Sequence, residues 1–90
     1  MTSAQDVARY FLCLVDEDEG DLMSNLKLQK LLYYAQGFHL ALFHKPLFDE
    51  KIKAWQHGPV VPDVYHAYKE YGAGAIPRPV EFDLNQIDSE

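Results

Sequence analysis

Four histidines, a run of carboxylates and six tyrosines are the residues of this chain whose chemistry calls for an explanation. His39, His44, His57 and His66 are spread along the sequence without the close paired spacing of a zinc site, and there is no C-x-x-C to complete one. No H-E-x-x-H, no G-x-S-x-G and no Gly-rich phosphate loop is present. Asp16 to Asp21 invites a calcium-loop reading, but such a loop needs Gly at its sixth position and Glu at its twelfth. Counted from Asp16, the glycine comes fifth and the twelfth residue is Lys27. The run is therefore expected to be a solvated acidic loop. His57, beside Trp55 and the stiff Gly58-Pro59, is the one polar group next to a constrained backbone. A nucleophile, a base and oxyanion donors cannot all be named around it, so catalysis is not expected. Neither a metal nor another cofactor is expected.

The tyrosines point elsewhere. Tyr33 and Tyr34 are adjacent, and Tyr65, Tyr68 and Tyr71 share one short segment. A tyrosine packs an apolar ring and keeps a hydroxyl for water or a partner, so it is enriched at protein interfaces. Most of these rings are expected to fill the core of a small α-rich domain, leaving two or three as contact residues.

The elements that must hold these groups belong to one small domain, because 90 residues build a single core. A net charge of -6 with no basic run argues against clamping a phosphate backbone, so direct nucleic-acid binding is not expected. A lone Cys13 forms no internal disulfide. The first residues lack the basic and apolar regions of a signal peptide. The longest apolar run, Tyr10 to Val15, is far too short for a membrane span. A reduced, cytoplasmic protein is the expectation.

Ser3 and Asp6 form a capping box, and Val7, Phe11 and Leu14 recur at helical spacing, predicting a first helix over about 4–15. Ser24 caps a main helix over about 25–43, with Leu28, Leu31, Leu32, Ala35, Phe38, His39 and Leu42 on its inner arc and Gln29 and Gln36 outside it. Tyr33, Gly37 and Leu40 fall on the opposite side, where a surface helix is normally polar. A mid-helix glycine usually has a packing reason. A short β-hairpin, or a pair of extended segments, is expected between Leu47 and His57. Pro62 then opens a third helix that Gly72 closes. Residues 1–72 form the helical domain in this reading, and 73–90 an extended linker and tail. The fold class is mainly α, with three helices and a hairpin between the second and third.

Three ordered blocks carry a family resemblance: Leu28 to Gln36 (LQKLLYYAQ), Lys45 to Glu50 (KPLFDE), and Ala54 to Tyr65 (AWQHGPVVPDVY) followed by Tyr68 to Gly72. Together, over about residues 24–72, they resemble the Panacea antitoxin domain, the SocA-like or GepA-like phage-associated family. The resemblance implies a bacterial or prophage protein that neutralises a co-encoded toxin by binding it, and it implies no catalytic residues. Family members continue with further helices that are expected to be absent here, and the Tyr33–Gly37–Leu40 side is where such an element would pack. A toxin or a second copy of the chain would cover that side otherwise. The candidate contact residues are Tyr33, Leu40, Trp55 and His57, with Gly58 and Pro59 shaping the turn. Two other readings stay open: a proteolytic adaptor or phage accessory protein that binds a protease or host factor, and a small hydrolase using His57 with Asp49 or Asp63.

Overall fold

A computed structural model of the chain describes residues 2–15 and 22–77. The acidic run from Asp16 to Asp21 and the segment from Arg78 to Glu90 lie outside the described residues. Helix α1 (Ala4–Cys13) is followed by the long helix α2 (Asn25–Phe43), strands β1 (Lys53–Trp55) and β2 (Gly58–Val60), helix α3 (Pro62–Ala67) and a 3₁₀ turn at Lys69–Tyr71. The architecture is mainly α, with an antiparallel two-stranded hairpin between α2 and α3.

Both long helices start where a serine satisfies an orphan backbone donor. Ser3 accepts from the Asp6 amide at 3.1 Å and Ser24 from the Lys27 amide at 3.2 Å. α1 stops at Cys13, two residues short of the predicted end. Ala4, Val7, Ala8 and Leu12 are buried, whereas Leu14, predicted inside, lies beyond the helix and is exposed. α2 ends on His44, whose left-handed backbone (φ 59°) lets its amide close on the Leu40 carbonyl.

The inner face of α2 also differs from the predicted arc. Leu28, Leu32 and His39 are buried as expected, but Phe38 and Leu42 are each 69% exposed. Their places are taken by polar groups: Gln29 is buried, Asn25 beside it is buried, and Gln36 is half-buried. Simple hydrophobic periodicity misses this because these amides do backbone work. Gln29 Oε1 accepts from the Val61 amide at 2.9 Å, and its Nε2 donates to Asn25 Oδ1 at 2.9 Å. Asn25 Nδ2 then donates to the Tyr65 carbonyl at 3.0 Å. Two turns on, Gln36 Oε1 accepts from the Leu47 amide at 2.7 Å and Nε2 donates to the Phe48 carbonyl at 2.9 Å. A chain of buried amides thus straps residues 47–48 and 61–65 to one helix.

Phe48, fully buried, plugs the space between those straps and packs with Leu12, Leu28, Leu32, Val61, Val64 and Ile76. The carboxylate of Glu50 accepts from the Ala4 amide at 3.0 Å, where the positive end of α1 favours an anion. Near the other end of the described chain, the Ile76 amide donates to the Met23 carbonyl at 2.8 Å, and Ser24 bridges Ala75.

The hairpin lies further along than expected. Leu47 to Ile52 forms no strand, and Gly58-Pro59-Val60, expected as a stiff connector, is the second strand. Lys53 pairs with Val60, Ala54 with Pro59 and Trp55 with Gly58, around the turn Gln56-His57. Proline is tolerated because a two-stranded sheet has only edges.

Replacing Gln29 with Ala leaves the Val61 amide buried without its acceptor. We expect Gln29→Ala to cost about 2–3 kcal/mol in urea denaturation, against about 0.5 kcal/mol or less for Lys51→Ala on the surface.

Candidate functional site

The four candidate contact residues fall on two separate surfaces. Trp55 ends β1 and His57 sits in the turn that follows, so both are placed by the hairpin. The turn closes because Gly58 adopts φ 121°, a conformation that L side chains rarely adopt. Pro59 follows within β2, where its fixed φ stiffens the strand as it leaves the turn. Trp55 is 39% exposed, and its ring meets Tyr65 edge-on at 5.2 Å and His66 at 6.2 Å. Tyr65 and His66 stand on α3, whose first turn is held to α2 by the Asn25–Tyr65 bond. The indole is therefore braced on one side and open on the other.

His57 is exposed, and no polar contact joins it to Asp49 or Asp63 among the described residues. His39 plays a different part. Its Nδ1 lies 2.7 Å from the Lys45 carbonyl, and its ring packs on Phe43 at 4.8 Å. It is the hydrogen-bonded core histidine that its place on the inner arc implied. Burial pushes the Tyr68 phenol above its ordinary range, with the nearby Arg9 guanidinium opposing that shift.

Tyr33 and Leu40, 50% and 43% exposed, line the second surface. They border an apolar groove of about 430 Å³ that runs along α2 and meets Ile52, with Tyr34, Gln36, Gly37, Phe38 and Ala41 in its lining. The space that a Cβ on Gly37 would occupy is empty, so among the described residues no element packs against this glycine. Sequence reasoning missed Phe38 and Tyr34 as surface residues. The signal was present in the absence of any Asp, Glu, Lys or Arg from Leu31 to Phe43, which makes both sides of the helix apolar. No described helix is long and apolar enough to cross a membrane.

Comparison with known proteins bears on what such surfaces serve. The SocA-like antitoxin, Panacea domain family matches residues 28–89, more than half of the chain. The chain belongs to this family. The match runs from the first turn of α2 through the hairpin and α3 and continues past Gly72, where the recognisable sequence blocks end. The chain is also similar to the antitoxin SocA of Caulobacter vibrioides (strain NA1000 / CB15N), at 46% identity over 50 residues. Those residues are 56% of this chain and 27% of the relative, so the similarity spans about a quarter of that protein's length. No solved structure matches.

Within this Panacea domain, the bracing of Trp55 has a measurable consequence. Trp55→Ala is expected to leave a folded protein with a cooperative transition, destabilised by about 1–2 kcal/mol, because much of the ring faces solvent. Phe48→Ala, in the core, is expected to cost about 3–5 kcal/mol in the same denaturation series. Trp55→Ala costing as much as Phe48→Ala would place the indole in the core and remove it from the contact set.

Proposed function

We infer that this Panacea domain acts as an antitoxin, neutralising a co-encoded toxin of a bacterial or prophage system by binding it directly. The observation that carries the reading is membership of the SocA-like antitoxin family over residues 28–89, and the name of the Caulobacter relative agrees with it. Direct binding is favoured by the surface. Large apolar groups remain exposed on a small acidic protein, and such patches serve protein contacts. The reading is non-enzymatic. His57 lacks a polar link to either carboxylate that a hydrolase would need, and it is better placed to contact a partner beside Trp55.

Trp55 and His57 are the residues assigned to the toxin. A half-exposed tryptophan on a rigid turn loses little side-chain entropy on docking, and tryptophans dominate interface energetics. Gly58 and Pro59 contribute by holding the turn rather than by contact. Tyr33 and Leu40 belong to a second protein-contact surface. An acidic chain without a basic patch is assigned no direct nucleic-acid role. Neutralisation by occlusion follows mass action, so it scales with the ratio of antitoxin to toxin.

Co-expressing the chain with the neighbouring reading frame tests this. The neighbour alone should arrest growth, and the chain should restore growth and co-purify with it. Trp55→Ala should weaken the complex about 30-fold or more, measured by calorimetry. A folded chain that neither rescues growth nor co-purifies would replace this reading with that of an adaptor for another protein.

A further inference from the structure

Helix α2 has no formal charge from Leu31 to Phe43, yet the described residues cover only one side of it. A helix that is apolar all round belongs in an interior. On its open side Gly37 and Ala41 lie between Tyr33 and Leu40 on one flank and Tyr34 and Phe38 on the other, and Gln36 and Ile52 complete the lining of the groove. We propose that a second copy of this chain fills the groove, with the two α2 helices packed antiparallel and crossing at Gly37.

Area, shape and charge each favour a second copy. Tyr33, Tyr34, Phe38 and Leu40 are 50%, 57%, 69% and 43% exposed, and Leu26 on the same side is 40% exposed. At roughly 200 Å² for a large side chain, these groups offer about 500 Å² per copy. Two copies then bury about 1,000 Å², the size that a specific interface has to clear.

A two-fold interface must be complementary to itself. With the axis through Gly37, each Tyr33 lies over Ala41 of the second copy, and each Tyr34 lies beside its Leu40. Tyr33 thus meets the small Ala41, Tyr34 packs on Leu40, and the missing side chain at position 37 lets the helix axes approach. The same register carries Lys30 to the C-terminal end of the other α2, around His44. That last turn has no basic residue of its own, and a cation there is favourable. Because the groove contains no carboxylate, two chains of net charge -6 meet where neither carries negative charge.

This assignment stands apart from the toxin reading, since Trp55 and His57 do not line the groove. Analytical ultracentrifugation of the 90-residue chain alone, over about 5–200 µM, is the test. The expected result is a particle of twice the 10.4 kDa chain mass that Gly37→Gln converts to a monomer. The open space at Gly37 and the better helix propensity of Gln mean that this variant keeps its fold, checked by an unchanged far-UV spectrum. In a Cys13→Ser background, Gly37→Cys should form an inter-chain disulfide faster than Lys30→Cys, because only position 37 faces itself. A monomer at the highest concentration overturns the proposal, and so does a dimer indifferent to Gly37→Gln. If the wild-type chain is itself monomeric and Gly37→Gln abolishes toxin co-purification, the groove belongs to the toxin and the proposal is overturned.

Discussion

The buried amides of α2 are the constraint on which the rest of the fold depends. In most small helical domains the long helix turns its apolar side inward and lets backbone bonds elsewhere settle locally. Here Asn25, Gln29 and Gln36 face the core and satisfy the backbone of the segments that follow. The amides of Leu47 and Val61 and the carbonyl of Phe48 find their partners in these side chains, and without them would be left unpaired at the edge of the core. Each such group costs about 1–3 kcal/mol when left unpaired. The glutamines offset that cost while fixing where the chain must go: Phe48 into the core, Val61 against α2, and α3 onto its N-terminal end.

That constraint also explains which parts of the fold were legible in the sequence. The bounds of α2 could be read because Ser24 is a strong N-cap and thirteen uncharged residues run to its end. The capping of α1 by Ser3, the start of α3 at Pro62 and the existence of a hairpin were legible for similar local reasons. The orientation of α2 was not. Ranking residues by hydropathy places Phe38 and Leu42 inside and Gln29 and Gln36 outside, and the molecule does the reverse. Periodicity records what a side chain prefers when no backbone group needs it. It carries no information on a carbonyl at Phe48 or an amide at Val61 until the tertiary path is known. The hairpin was displaced for a related reason: Gly58-Pro59 reads as a breaker, but a glycine at φ 121° followed by an edge proline is one way to leave a two-residue turn.

The candidate site was legible to a similar degree. Trp55 and His57 were found from a stiff turn beside an aromatic, and the hairpin does present both to solvent. Tyr33 and Leu40 were found as apolar residues on the side of a helix that should be polar. What the sequence concealed was the extent of that side. Once the glutamines turn inward, Tyr34 and Phe38 are carried outward, and two isolated surface residues become the rim of a groove.

Inversion of α2 therefore couples stability to binding. A helix of this composition has enough apolar surface to pack on two sides, and the core built by the described residues uses only one. Assigning polar amides to the inner side is the change that frees aromatic residues for the outer one, because the helix has a fixed number of positions per turn. The two proposed contact surfaces are then separated along the chain. α2 supplies a long, uncharged face suited to another helix, whereas the hairpin supplies one braced indole suited to a pocket. Both surfaces lean on the same polar network, since the Asn25–Gln29 pair holds Val61 and Tyr65, and Tyr65 supports Trp55. Damage to that network would loosen the indole without touching any residue on the contact surface itself.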